Sequence, residues 1–176
     1  YAVSNNRYVG LWYRNKKEGS GTMYYYNGAR YEGSWKNDKR NGKGLYTYEN
    51  GAFYKGDWVD DKKSGKGIFD WGDGEKYEGS WANNERNGRG TYFYATGDYY
   101  VGDWKNDMQD GRGIYKFKNG DVYEGQYLLG ERSGEGTMRF ASGDTYTGYF
   151  LQGEQSGKGT FIWKGVATYT GDWQHN

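Results

Sequence analysis

A five-residue motif, Tyr-x-Gly-x-aromatic, recurs eight times in this chain at intervals of 23 residues, without an insertion or a deletion. The copies begin at Tyr8, Tyr31, Tyr54, Tyr77, Tyr100, Tyr123, Tyr146 and Tyr169. A fixed short period means that one small structural unit is stacked on copies of itself. A side chain that recurs in every unit is therefore expected to hold the stack together, whereas an active site needs unlike groups that converge once.

Within one period, residues 19–41, small or aromatic residues alternate with polar ones on both sides of Asn27-Gly28. This period of two around a turn signal predicts the two strands of a β-hairpin. Gly28 supplies the positive φ that a tight turn needs. Val166 occupies this position in the last repeat, so the turn there is expected to shift by one residue to Gly165. The polar residues 36–41 are expected to link one unit to the next.

The chain has 32 glycines and 20% aromatic residues, and most of both fall in columns that repeat with the period. One face of each hairpin is thus glycine and aromatic, and the other is polar. Because a lone hairpin is marginal in water, the units must stack to bury the aromatic face. The predicted fold is all-β: an elongated, twisted, single-layer antiparallel sheet of stacked 23-residue β-hairpins, continuous over 1–176. One aligned, largely buried row is expected to contain Trp12, Trp35, Trp58, Trp81 and Trp104.

The repeat has a recognisable order: Tyr-x-Gly-x-Trp, then Gly-x-Gly seven residues after the Trp, then Asn/Asp-Gly before the next Tyr. This order resembles the MORN repeat (membrane occupation and recognition nexus) over nearly the whole chain, with Tyr127 and Phe150 as conservative replacements of the Trp. The resemblance implies an array of about seven to eight repeats that serves as a scaffold or binding module. It also implies a cytoplasmic place on the cytoskeleton or in a cilium or flagellum. Because the chain starts without Met inside a repeat, we expect it to be a fragment of a longer protein.

Side chains that most catalytic and metal sites require are scarce, since the chain has no Cys and a single His, His175. Glu32, Glu78 and Glu124 recur in one column, which is typical of a solvated face. We therefore predict no catalytic residue, no metal site, no cofactor and no enzymatic activity in this chain, while an enzymatic domain elsewhere in a longer parent stays open. A net charge of +1 also disfavours a nucleic-acid partner.

Residues that depart from the repeat are the best candidates for contact with a partner, because the fold does not require them. Apolar residues of this kind on the polar face form the predicted partner face: Tyr24, Leu45, Ile68, Phe93, Ile114 and Ile162. A contiguous apolar patch on a sheet marks an interaction surface. The first hypothesis is thus a scaffold that binds protein along its sheet, with self-association through open sheet edges as a further expectation.

A second candidate surface is a basic ladder, formed in five repeats by the residue between the paired glycines: Lys43, Lys66, Arg89, Arg112 and Lys158. Ser20 and Glu135 occupy this position in two other repeats and interrupt the ladder. One interpretation pairs these side chains across strands with Asp57, Asp103 and Glu124, and the interleaved acids favour it. The other interpretation is a stripe for anionic phospholipids such as phosphoinositides. The alternative function is therefore a peripheral membrane module.

Overall fold

The computed structural model of the protein describes residues 5–174, so His175 lies outside the described residues. These residues fall into two compact units, one that ends at Arg86 and one that begins at Asn87. Every regular element between residues 5 and 174 is a β-strand. None of the described residues belongs to a helix of the length and apolar character that a membrane span requires.

The first unit contains seven complete strands. They are β1 (Arg7–Tyr13), β2 (Lys16–Tyr24), β3 (Arg30–Lys36), β4 (Lys39–Thr47), β5 (Phe53–Val59), β6 (Lys62–Asp70) and β7 (Lys76–Ala82). β8 (Glu85–Phe93) starts at the end of this unit and lies mostly in the second. The second unit continues with β9 (Tyr99–Lys105), β10 (Met108–Lys116), β11 (Val122–Leu128), β12 (Glu131–Arg139), β13 (Thr145–Leu151), β14 (Glu154–Trp163) and β15 (Ala167–Trp173).

Within each unit consecutive strands pair antiparallel, in chain order and without a crossover. The register repeats with the sequence period. Gly33 lies opposite Gly21 and Gly44, for example, and Gly56 lies opposite Gly44 and Gly67. The predicted fold, an all-β array of antiparallel hairpins, is confirmed.

The predicted turn at Asn27-Gly28 is present and closes the hairpin of β2 and β3. The Tyr25 N–H donates to the Ala29 carbonyl over 3.0 Å, and Gly28 has the expected positive φ of 85°. In the last repeat Gly165 has a φ of 72°, so the turn shifts by one residue as predicted. A β-branched residue enters this region of φ only with strain, and Gly165 relieves Val166 of that requirement.

The link expected over residues 36–41 is wrong, because these residues form a second hairpin. β3 ends at Lys36 and β4 begins at Lys39, so only Asn37 and Asp38 lie between them. Their φ angles are 48° and 69°, and positive φ at both central residues is the requirement of the two-residue hairpin turn that matches strand twist. Asn and Asp adopt this conformation more readily than other non-glycine residues.

The Trp side chains form the predicted buried row within the first unit, with one exception. Trp35 is 4% exposed, and its ring stands edge-on to the rings of Tyr8 and Tyr31 at centroid distances of 5.3 and 5.1 Å. Its Nε1–H donates to the Gly21 carbonyl over 3.1 Å. Trp12 is 58% exposed, and among residues 5–174 its ring pairs with that of Tyr8 alone, so the prediction that it is buried is wrong. The cause is the missing second Tyr ring, which every buried Trp of the unit has.

The Tyr of each repeat lies flat on glycines, which explains the glycine columns. Tyr54 has no exposed surface, and its hydroxyl donates to the Asp57 carbonyl over 3.0 Å. A Cβ on Gly56 would lie 2.6 Å from the Tyr54 Oη and 2.5 Å from the Gly67 Cα. Glycine is therefore required here by the close approach of the ring and the neighbouring strand.

Candidate functional site

The polar face of the second unit carries an apolar cluster that sequence reasoning found only in part. Phe93 on β8 lies opposite Tyr99 on β9, and their ring centroids are 6.1 Å apart. Val101 follows on the same face of β9 and lies opposite Ile114 on β10. All four side chains are half-buried. This set of Phe93, Tyr99, Val101 and Ile114 is called the Phe93 cluster.

In the first unit, charged residues separate the members of the predicted partner face. Leu45 and Ile68 are both half-buried, but Lys55 of β5 lies between them, opposite each. Tyr24 lies farther along the face, where the Arg7 guanidinium stacks over its ring at 4.6 Å. These three residues thus share a face without forming one apolar patch.

The last member of the predicted partner face, Ile162, is exposed on β14. It lies opposite Thr145 on one side and Thr168 on the other. Its neighbours are hydroxyl-bearing residues, so the structure does not bring Ile162 together with the Phe93 cluster.

A concave region of about 820 Å³ lies on the polar face of the second unit. This groove, called the Thr groove, has a floor of Thr137 and Thr147, whose hydroxyl oxygens are 3.2 Å apart. Charged residues of both signs line it: Arg112, Glu124, Glu135, Arg139 and Lys158. The Arg139 Nη1 donates to Glu124 Oε2 over 3.4 Å. The Thr groove begins at β10, the strand that also carries Ile114 of the Phe93 cluster.

In the first unit one ladder residue, Lys43, is paired with a carboxylate of the same face. Lys43 Nζ lies 2.6 Å from Asp57 Oδ1, and the Lys66 N–H donates to Asp57 Oδ2 over 2.9 Å. Burial raises the pKa of Asp57, but the hydrogen bonds from Lys43 and Lys66 outweigh burial and hold that pKa below its usual value. The Lys66 ammonium donates to Ser80 Oγ over 2.8 Å. Asp57 thus pairs with the Lys43 ammonium, whereas its bond to Lys66 is to the main chain and the Lys66 ammonium binds a hydroxyl.

In the second unit Asp103 takes the corresponding place. Its Oδ1 lies 3.9 Å from Arg89 Nε, and its Oδ2 accepts from the Arg112 N–H over 3.1 Å. The expected pairing of the basic ladder with Glu124 is wrong. Glu124 lies farther along its strand than the position opposite the ladder, and it accepts a hydrogen bond from Arg139. Lys158 lies opposite Asp172 in the register of β14 and β15.

A column of cationic residues that sequence reasoning assigned to the link covers the aromatic row. In the first unit Arg40 lies over the Trp58 ring at 4.3 Å, and Lys63 lies over the Trp81 ring at 4.4 Å. Asp61 holds Arg40 in place, because its Oδ1 accepts from the Arg40 N–H at 2.9 Å and from Nε at 3.0 Å. The recurrence of Lys or Arg at 23-residue spacing was the available signal.

In both units the shifted pKa values of titratable side chains have structural causes. Burial raises the pKa of Tyr31, Tyr54, Tyr100 and Tyr146, and it raises that of Tyr123 to about 12. Hydrogen bonds from the main-chain N–H groups of Lys118 and Lys164 lower the pKa of Asp98 and Asp144. Among residues 5–174 no three His, Cys, Asp or Glu side chains are placed to hold a metal ion together.

The repeat defines the class of protein. A MORN repeat model matches seven consecutive segments: 8–30, 31–53, 54–76, 77–99, 100–122, 123–145 and 146–165. The chain therefore belongs to the MORN-repeat family, as the resemblance of its motifs predicts. No curated protein matches the chain.

Solved structures of similar fold include two of the Sas-4 protein of Drosophila melanogaster. One is the SAS-4 (dCPAP) TCP domain in complex with a proline-rich motif of Ana2 (dSTIL), with 12% identity, a TM-score of 0.56, and coverage of 96% of this chain and 90% of that chain. The other is the TCP10c domain of Sas-4, with 11% identity, a TM-score of 0.52, and coverage of 96% and 99%. At this identity the likeness concerns the fold alone.

Proposed function

We propose that this chain is a non-enzymatic scaffold that binds a protein partner along the polar face of its sheet. The observation that carries the proposal is the Phe93 cluster, because the repeat does not require its side chains and they are only half-buried. The Thr groove continues from it with carboxylates, guanidinium groups and hydroxyls. An apolar anchor beside a polar, mixed-charge surface is the arrangement of a protein interface.

The absence of an enzymatic role is part of the proposal. Catalytic sites bring together titratable groups whose pKa values are pushed in opposite directions. Here the raised pKa values belong to tyrosines such as Tyr123, which hold the stack, and the lowered ones to aspartates that accept main-chain hydrogen bonds. These shifts follow the repeat, apart from the hydrogen bond that the Tyr115 hydroxyl donates to Asp98 over 3.1 Å, and each has a cause within the protein.

A peripheral membrane role through the basic ladder is the alternative, and the ion pairs weigh against it. Lys43 and Arg89 are well exposed, each with 77% of its side chain accessible, but Asp57 and Asp103 lie beside them. A lipid surface attracts clusters of unneutralised Lys and Arg. A ladder whose rungs alternate with carboxylates presents a weaker field, so we rank protein binding first.

The cellular setting that we propose is cytoplasmic, in a cytoskeletal assembly such as a cilium or flagellum, and it rests on the family. One of the solved structures of similar fold, the Drosophila SAS-4 TCP domain, is in complex with a proline-rich motif of Ana2, which is in keeping with a protein partner. Self-association is a further part of the proposal. Trp12 on β1 and Tyr169 on β15 are exposed rings on edge strands, and unpaired strand edges recruit further strands.

The experiment is affinity capture from the source cell with the full-length parent protein, next to sedimentation with anionic liposomes. Phe93→Ser and Ile114→Ser each remove an apolar contact from the polar face and are expected to reduce capture of one specific partner at least tenfold. Charge reversal at Lys66 and Arg89 is the matched control for the ladder, and it should leave capture unchanged.

The salt dependence of binding distinguishes the protein scaffold from the membrane module. Binding through the ladder weakens steeply as ionic strength rises, because exposed charges are screened within about 8 Å at physiological salt. Binding through the Phe93 cluster should change little between low and physiological salt. If anionic liposomes bind the wild-type protein at physiological salt, release the Lys66→Glu variant, and no specific protein is captured, the alternative replaces the proposal.

A further inference from the structure

The aromatic face of the second unit contains a place where the repeat pattern breaks, and the break leaves a half-buried Arg side chain without the carboxylate partner of the regular repeat. The regular arrangement is that of Arg40, which receives a carboxylate oxygen of Asp61 at Nε and the Asp61 carbonyl oxygen at Nη2, both at 3.0 Å. Two neighbouring repeats follow the same pattern at the main chain: the Lys17 N–H donates to Asp38 and the Lys63 N–H to Asn84, each over 2.8 Å. Residue 61 and its equivalents thus act as built-in acceptors.

At Arg132 this acceptor is missing. The residue equivalent to Asp61 is Gly153, and the one before it in the column is Gly130. Gly153 retains the main-chain bond, since its N–H donates to the Arg132 carbonyl over 3.0 Å, but it has no side chain to offer the guanidinium. Among the described residues the Arg132 guanidinium makes no ion pair, and it lies over the rings of Tyr123 at 5.5 Å and Phe150 at 5.6 Å.

A second departure from the repeat makes room beside this guanidinium. Tyr127 stands in the Trp column, so a smaller ring fills the place of an indole. A pocket of about 260 Å³ results, with walls from Tyr115, Phe117, Tyr127 and Arg132. Burial raises the pKa of Tyr127, so its phenol stays neutral and supplies no counter-charge. The pocket is thus lined by three aromatic rings and by one guanidinium that has no ion pair among the described residues.

We propose that this pocket binds the carboxylate of an acidic side chain, Asp or Glu, from a partner polypeptide. The protein itself shows the chemistry, because Asp61 fills the equivalent place at Arg40. A guanidinium presents a fork of donors that matches a carboxylate. The aliphatic part of the incoming side chain would fill the space beside Gly153, which has no side chain of its own, and would pack against the ring of Phe117.

The charge of the pocket favours a carboxylate over a phosphate. Glu131 lines the same pocket, so the lining carries one positive and one negative side chain. A single negative charge suits one guanidinium, whereas a doubly charged phosphate or an anionic membrane calls for several cations. The inference concerns the aromatic face, so it goes beyond the proposed function, which concerns the polar face.

The test is an NMR titration of the 176-residue protein with two capped amino acids, N-acetyl-glutamate N-methylamide and the matching glutamine derivative. The Arg132 Nε–H resonance should shift saturably with the glutamate probe and not with the glutamine probe. The Arg40 Nε–H resonance is the control in the same spectrum, because Asp61 already occupies it, and it should not move.

Two variants decide whether the site is the one proposed. Gly153→Asp supplies the carboxylate from within, as Asp61 does, and should abolish the response of Arg132. Residue 61 has a φ of 68° and residue 153 one of 84°, so Asp is compatible with this turn. Gly153→Asn copies Asn84 and should reduce the response less. If Gly153→Asp perturbs the fold, the Asn variant and the two probes still decide.

Any of four results overturns the inference. The first two are no shift at Arg132 up to the solubility limit of the glutamate probe and an equal shift with the glutamine probe. The other two are an undiminished shift in Gly153→Asp and a response to inorganic phosphate at a lower concentration than to the carboxylate. Vesicles of phosphatidylcholine and phosphatidylserine whose binding is lost in Arg132→Gln also overturn it, in favour of a lipid headgroup. Capture of a partner through the Phe93 cluster is measured separately, so the two proposals can fail independently.

Discussion

Replacing Trp58 with Ala tests the aromatic stack at its best-defined position. Trp58 is 3% exposed, stands edge-on to Tyr31 and Tyr54 at 5.5 and 5.1 Å, and lies under Arg40 at 4.3 Å. Its Nε1–H also donates to the Gly44 carbonyl over 3.3 Å. Truncation of a buried Trp costs about 3 to 5 kcal/mol, and the ring pairs, the cation contact and the hydrogen bond are parts of that cost. We expect a loss of about 4 kcal/mol in the free energy of unfolding.

Trp12→Ala is the matched control, because it deletes the same side chain from the same column. Trp12 is 58% exposed and makes one edge-on contact, with Tyr8 at 5.2 Å. One aromatic pair is worth about 0.5 to 1.5 kcal/mol, so we expect a loss of about 1 kcal/mol. Equilibrium urea unfolding followed by circular dichroism measures both. Equal losses in the two variants, or a loss below about 1 kcal/mol for Trp58→Ala, would refute the account in which burial between two Tyr rings stabilises the sheet.

Two further predictions concern the glycines and the buried phenols. Gly56→Ala should lower the free energy of unfolding by about 3 kcal/mol, because its Cβ would lie 2.5 Å from the Gly67 Cα. Gly51→Ala has only its positive φ to overcome and should cost about 1 kcal/mol, so equal urea midpoints for the two would contradict the packing argument. The pKa of Tyr123 is raised from 10.0 to about 12, so its neutral form contributes stability that is complete below about pH 10 and is lost as the pH rises toward 12. Urea midpoints between pH 9 and pH 12 should fall less in Tyr123→Phe than in the wild type, and parallel curves would count against this assignment.

The strands, the turn at Gly28 and the buried aromatic face could all be predicted, because the residues that specify each of them recur along the chain with the period of the repeat. The two-residue turn at Asn37-Asp38 was missed, since a short polar stretch looks the same whether it is a loop or the tip of a hairpin. The position of Arg40 was missed for a related reason. A long charged side chain can turn back over an aromatic row and pack its stem there, and alternation along a strand does not reveal this.

The candidate site was predicted less completely than the fold, because it depends on differences between repeats. Phe93 and Ile114 were recognised as departures, but Tyr99 and Val101, which complete their cluster, were not predicted. Contact across strands depends on register, and the register places Val101 opposite Ile114. At Arg132 the informative feature is an absent side chain, which becomes visible only when the geometry of Asp61 is known.

Hydroxyl-radical footprinting of the captured complex tests the central claim most directly, because it reports the solvent access of individual side chains. The claim is that repeated residues hold the sheet and that residues which depart from the repeat hold the partner. With partner bound, Phe93, Tyr99 and Ile114 should lose most of their reactivity, while the exposed Trp163 should keep its own. If the Phe93 cluster remains as reactive as in the free protein while protection falls on other side chains, the partner binds elsewhere and the account is contradicted.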